Sequence, residues 1–270
     1  MFADDIVLYR TITCTSDFAP VQGDVTLLAD WMDSNGLTLN GSKTKFMLLS
    51  RKRKSFYSGQ QLWLHEIAID RVLEFKYLGV LVSHDLSWSP HISAVCSKAR
   101  RLLGLFYRQF YKVDPKLILK CYLTIVRPLL DYCCYVWSPH LVKDIKVVEN
   151  VQFFALKMAT KSWNSHYTDL MRDCEIPLLS SRRLYFDGCI VFKILNDLSC
   201  INQDHLVPSY RRNQRTQHLL ALRTPRVPSS ESQSFFYRIV NSWNSLPSSV
   251  VSSPGYSNFK INIKNHLKLK

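Results

Sequence analysis

The sequence predicts an α+β protein: a small antiparallel sheet with one helix, then a mainly helical remainder. Three observations predict this. Short β-branched and aromatic runs, separated by turn residues, crowd into residues 1–83. From Ser89 onward the apolar residues recur at helical spacing. Ser89-Pro90 and Asp114-Pro115 each place a proline where it favours the first turn of a helix. A chain of 270 residues, 47% hydrophobic and 12% aromatic, can bury a sizeable core and does not belong to the disordered class.

In order along the chain, Asp4-Asp5 sits between apolar residues and the run Ile6-Val7-Leu8-Tyr9, a pattern for a tight turn with a strand leaving it. Asp17 can cap a helix whose apolar positions are Val21, Val25, Leu28, Trp31 and Met32. Asn35-Gly36 tolerates the left-handed backbone that closes it. Leu37–Leu39 and Phe46–Leu49 read as short strands around the polar turn 40–43, and Leu62–Leu64 and Ile67–Ile69 as two more around His65-Glu66. Tyr77–Val82 reads as a strand with Gly79 inside it, which marks a bulge or a close backbone approach. The first unit is expected to span 1–83, a helical region 84–200, and a basic linker with a helical tail 201–270.

The first long helix buries Ile92, Val95, Ala99, Leu102, Leu103 and Phe106, which gathers Lys98, Arg100, Arg101 and Arg108 on its remaining surface. That basic surface is either a solvated helix face or one that tracks a phosphate backbone. Pro128 should kink or end the next helix because it removes a backbone bond. Further helices are expected over 143–163, 180–198, 234–246 and 258–267. Pro208 to Pro228 carries Arg211, Arg212, Arg215, Arg223 and Arg226 with no acidic residue, and reads as an exposed linker or a phosphate-contacting arm.

The net charge of +14 and the pI near 9.5 favour a polyanionic partner, nucleic acid before membrane, because basic residues recur along the whole length. Eight cysteines form neither a C-x-x-C pair nor a zinc-like set with histidine, which speaks against structural zinc. Most sit among apolar residues and read as core side chains of a reducing compartment. The apolar stretch 117–137 is broken by Lys120, Arg127 and Asp131, so it is no membrane span. No secretory signal is evident, and the expected setting is cytosolic or nuclear.

Several of these stretches are similar, in order, to one family. Phe2-Ala3-Asp4-Asp5 resembles the F/Y-x-D-D box of reverse transcriptases. Asn35–Asn40 with Lys43-Thr44-Lys45 resembles the segment after that box in non-LTR retrotransposons, and Phe75–Val80 resembles their primer grip. Trp88 with His91-Ile92, and Arg127–Tyr132 with Val136–Pro139, resemble the thumb and the stretch after it. Arg182-Arg183-Leu184, Phe192–Asn196 and Trp243–Pro247 resemble the C-terminal part of jockey-like elements.

The resemblance implies a partial palm, then a helical thumb and C-terminal region, performing RNA-directed DNA synthesis with Mg²⁺ on an RNA template and a DNA primer or target. It implies that Asp4 and Asp5 are metal-holding carboxylates, Asp4 the stronger ligand. Lys43 falls where the family has a lysine near the nucleotide, or is a plain surface lysine. Tyr77-Leu78-Gly79 would hold the primer end. Trp88 and Trp137 are expected to pack helices rather than stack on bases. The family's earlier palm aspartate and its fingers are not among these residues. The 270 residues are therefore expected to be a fragment that does not polymerise alone; the alternative is a non-catalytic nucleic-acid-binding module.

Overall fold

A computed structural model describes residues 4–51, 59–112, 114–208, 220–223 and 234–269. The chain divides into two compact units, Met1–Ser87 and Trp88–Lys270. The helices expected over the C-terminal tail belong to the second unit.

In the first unit, helix α1 (Phe18–Ser34) is followed by strands β1 (Lys45–Phe46), β2 (Leu62–Leu64), β3 (Ile67–Arg71), β4 (Glu74–Tyr77) and β5 (Val80–Ser83). β3 lies between β1 and β2, parallel to the first and antiparallel to the second, so this sheet is mixed where an antiparallel one was expected. Its core is Phe18, Ala29, Leu62, Leu64 and Ile69, flanked by Val21, Val25 and Phe46. The helix buries its Phe18–Gln22–Val25–Ala29 side, and Trp31, expected in the apolar stripe, is 58% exposed. The polar Gln22 hides that stripe from a count of apolar residues, and it has its own task. Its side-chain amide donates to Trp63 O and accepts from Trp63 N, both at 2.8 Å. Those backbone groups lie on the outer edge of β2, where they would otherwise offer pairing to another chain.

Two expectations fail here for related reasons. Residues 6–9 form no strand, since among the described residues no strand pairs with them and a lone strand is not stable. Leu37–Leu39 likewise remains irregular. Asp17 does not cap α1: its carboxylate accepts from Thr13 N at 2.6 Å, Thr13 Oγ1 at 2.8 Å and Cys14 N at 2.9 Å, fastening the preceding turn. The backbone donor of Thr13 leads the interactions that hold this carboxyl far below its usual range.

The second unit opens with α2 (Ser89–Phe110), which buries His91, Ile92, Cys96, Ala99 and Leu103. Helix α3 (Pro115–Cys121) begins at Asp114-Pro115 as expected, and Asp114 caps it, accepting from Lys116 N at 2.9 Å. A π-helical turn (Tyr122–Val126) leads into α4 (Arg127–Asp131). It lies just before Pro128, where the widened turn accommodates the missing backbone donor. The expected break at Pro128 is thus a local change of helical pitch.

Helices α5 (Cys134–Trp137), α6 (Val142–Thr160), α7 (Tyr167–Asp173) and α8 (Leu179–Leu195) come next. The tail adds α9 (Phe235–Asn244), α10 (Ser248–Val251) and α11 (Tyr256–His266). α2 and α3 pack on α6, whereas α9 and α11 pack on α8. The α8 core joins Phe192, Trp243 and Phe259, with the Phe192 and Phe259 rings stacked 4.3 Å apart. Trp137 is fully buried and donates to Tyr132 O at 2.8 Å, a packing role as expected; Trp88 is half-buried. All eight cysteines are free, but only Cys96, Cys134 and Cys189 are buried, and Cys14 and Cys200 are exposed.

Candidate functional site

The residues singled out by the sequence fall into four places, three in the first unit and one in the second. Asp4 lies in a turn, as expected, and both Asp4 and Asp5 are exposed. Beyond them Val7 and Tyr9 are 50% and 92% exposed. Phe2 and Ala3 of the same box lie outside the described residues. Among the described residues, no three His, Cys, Asp or Glu side chains gather as a metal site. Carboxylate oxygens suit Mg²⁺, but this ion usually draws ligands from more than one element. The donors match the ion in kind and not in number.

Lys43 projects from a loop built by Asn40. The Asn40 carbonyl accepts from Lys43 N at 3.1 Å and from Thr44 N at 2.9 Å, while its side chain accepts from Ser42 Oγ at 2.7 Å. This asparagine turn fixes the backbone under Lys43, whose side chain is exposed. Its neighbour Lys45 pairs with Asp70 across β1 and β3 at 2.6 Å.

Tyr77-Leu78-Gly79 forms a hairpin and not the single bulged strand expected. β4 and β5 pair antiparallel from Glu74↔Ser83 to Tyr77↔Val80, which leaves Leu78 and Gly79 as a two-residue turn. Both have positive φ, 45° and 85°. Such a turn matches the twist of the strands it joins and normally carries Asn-Gly or Gly-Gly. A leucine there is unusual, because its Cβ disfavours the left-handed backbone. This residue hid the turn from sequence reasoning.

Lys98, Arg100, Arg101 and Arg108 are exposed on α2, which has no acidic residue. Arg100 reaches toward α6, its guanidinium 3.5 Å from Val147 O. Arg211, Arg212 and Arg215 lie outside the described residues, as do Lys52, Arg53 and Lys54. Part of the segment expected to be a linker is anchored, however. Leu222 N donates to the Asn244 side chain and Leu222 O accepts from it, both at 2.8 Å, while Trp243 Nε1 donates to Leu220 O at 2.9 Å. The Trp243-Asn244 pair of the C-terminal motif therefore holds residues 220–222 against α9.

The other motif arginines are also internal. Arg182 meets Asp131 through three contacts of 2.5 to 3.3 Å, with both side chains largely buried. Arg183 lies 3.5 Å from Glu149. Glu149 accepts from Ser180 N at 3.0 Å and Leu179 N at 3.3 Å, so it caps α8 from a different helix, and Tyr167 donates to it at 2.8 Å. Gln152, fully buried, accepts from Tyr122 and donates to Tyr167 and Pro177 O at 2.8 to 2.9 Å, which satisfies its amide. Burial first, and Glu149 second, push the Tyr167 phenol above its usual range. Arg238 pairs with the buried Asp187 and donates to Tyr135 O at 2.9 Å. Sequence reasoning missed Glu149 and Gln152, which carry no motif and sit among apolar neighbours.

The chain is similar to a transposon-encoded RNA-directed DNA polymerase. It is 24% identical over 182 residues to the "Probable RNA-directed DNA polymerase from transposon X-element" of Drosophila melanogaster, a match covering 65% of this chain and 20% of that protein. The chain thus spans about a fifth of the length of this curated relative. No family model and no solved structure matches it.

Proposed function

We propose that these 270 residues are part of a reverse transcriptase of a jockey-like non-LTR retrotransposon, reaching from the carboxylate turn of the palm through the thumb. The similarity over 182 residues to a transposon RNA-directed DNA polymerase carries this reading. The ordered motifs and the net charge of +14 support it. In this role Asp4 and Asp5 contribute to holding Mg²⁺, and Lys43 lies near the incoming nucleotide. The Tyr77-Leu78-Gly79 turn bears on the primer end. Its left-handed leucine supports that assignment, because a residue kept at a strained position commonly serves function rather than local stability.

Two exposed carboxylates hold a divalent ion weakly, so the 270-residue chain binds template and primer without extending the primer on its own. Primer extension with an RNA template, deoxynucleotides and Mg²⁺ tests this. The expected result is binding of template–primer that weakens as salt rises, with no incorporation. Template-dependent incorporation abolished by Asp4→Ala would refute the inactivity. Failure to bind template–primer at low salt would refute the polymerase reading itself.

A further inference from the structure

The C-terminal ends of α2 and α6 form a surface that the polymerase reading leaves unused. A groove of about 340 Å³ is lined by Arg100, Asn150, Phe153, Phe154 and Lys157. Beside it Trp163 is 43% exposed and Phe154 36% exposed, although most large aromatic side chains of this unit are turned inward. Trp163 meets the Phe154 ring at 6.1 Å and the Tyr107 ring at 6.2 Å, both edge to face. The indole is thus held in place by two rings while keeping surface open to solvent.

Cations border these rings. Lys157 Nζ lies 4.2 Å from the centre of Phe153, and Lys161 Nζ lies 4.8 Å from the centre of Tyr111. Residues 98–112 and 150–163 contain Lys and Arg but no Asp or Glu. The two acids of α6 are engaged elsewhere: Asp144 accepts from Ser89 at 2.7 Å, and Glu149 caps α8. The surface therefore combines flat apolar faces with uncompensated positive charge.

We infer that this α2–α6 surface binds single-stranded nucleic acid, with unpaired bases stacking on Trp163 and Phe154 and phosphates meeting Arg100, Lys157 and Lys161. The inference rests on the polymerase reading for its partner class and adds the strand state that is recognised. Bases in a duplex are already stacked and offer no free face, whereas every unpaired base can stack on an aromatic ring. A protein partner of matching chemistry would need an acidic, apolar surface and would not depend on bases.

The test measures fluorescence anisotropy of the full chain with a labelled 12-mer of unpaired thymidines, an abasic 12-mer of equal charge, and a 12-base-pair duplex. The thymidine strand is expected to bind about a hundredfold more tightly than the abasic strand, about tenfold for each of the two stacked bases. Trp163→Ala should remove about tenfold from thymidine binding and leave the abasic strand unchanged. Trp163→Phe, which retains a ring and controls for folding, should keep most of the affinity, and Phe154→Leu provides a second probe. Lys157→Ala with Lys161→Ala should weaken both strands and lower the salt slope by about 1.4, or roughly 0.7 per lost contact. Unchanged thymidine affinity in a folded Trp163→Ala variant overturns the inference and leaves the polymerase reading standing. So does a wild-type dimer that Trp163→Ala dissociates without altering oligonucleotide affinity, which points to a second copy of the chain. Failure of the wild type to bind any of the three overturns both readings.

Discussion

Asp131 should prove more costly to remove than its partner Arg182, although the two share one ion pair. The pair is 14% and 11% exposed on its arginine and aspartate sides, with a shortest contact of 2.5 Å. A third charge makes it asymmetric. Arg127 has a buried Nε without a hydrogen-bond acceptor among the described residues, and its pKa is lowered by burial first and by Arg182 next, with Asp131 opposing. The Asp131 carboxylate therefore acts on both guanidinium groups, ion-paired with Arg182 and favouring the charged form of Arg127. Unit charges ~4 Å apart interact by ~4 kcal/mol at an effective dielectric of ~20. Asp131→Ala removes that attraction and leaves two like charges facing each other in a poorly solvated place. Its cost should reach about 3–5 kcal/mol, as for other broken buried pairs. Arg182→Ala leaves Asp131 with Arg127 and relieves the repulsion, so its cost should be about 1–3 kcal/mol. Urea unfolding of the full chain, followed through its helical circular dichroism, measures both. Adding Arg127→Met to Asp131→Ala should recover about 1 kcal/mol or more, on the same repulsion argument. Equal costs, or a costlier Arg182→Ala, would refute the view that Asp131 serves both arginines.

Three further outcomes are expected. A Cβ at Gly188 would lie 2.5 Å from Ile263 Cδ1, so Gly188→Ala should lose about 1–2 kcal/mol despite the better helix propensity of alanine; Ile263→Val, which deletes that methyl, should restore much of the loss in thermal melts. Leu78→Asn should stabilise the β4–β5 hairpin by about 0.5–1 kcal/mol, read as slower amide exchange in both strands, and unchanged exchange would argue against strain at the turn. The Asp17 carboxyl is depressed by its bonds to Thr13 and Cys14, so its contribution is complete above the ordinary value of 3.8 and fades as pH falls below it. Amide protection of Thr13 and Cys14 should decline across that acid range, and Asp17→Asn should remove the pH dependence.

The helices were legible wherever apolar residues set most of the buried face, as along α2, and their starts wherever proline marked the first turn, as at Asp114-Pro115. Legibility failed where a polar residue works inside an interface. Gln22 displaces the reading of α1 toward Trp31, and Glu149 and Gln152 look like surface residues of α6 until Tyr122, Tyr167 and the start of α8 surround them. It failed again at Leu78, since turn chemistry predicts small or polar residues where the chain has a leucine. α7 is too short for periodicity to mark it. The Asp4-Asp5 pair was visible as a motif, whereas the aromatic and basic surface was not, because it joins residues some fifty positions apart that share no pattern.

The Glu149 cap also constrains the order in which the second unit can fold. Most helices can begin with a residue immediately before their first turn, but α8 relies on a carboxylate thirty positions upstream. Closing that loop costs chain entropy before any cap is gained, and contacts of this separation form late compared with local ones. α8 should thus consolidate only after α6 has docked, and its start should be among the last helical amides to gain protection during refolding. During synthesis, the nascent chain would hold α6 with its partly buried Glu149 matched by Tyr167 alone until residue 180 emerges. That interval exposes apolar surface and makes this stretch the vulnerable moment of its biogenesis.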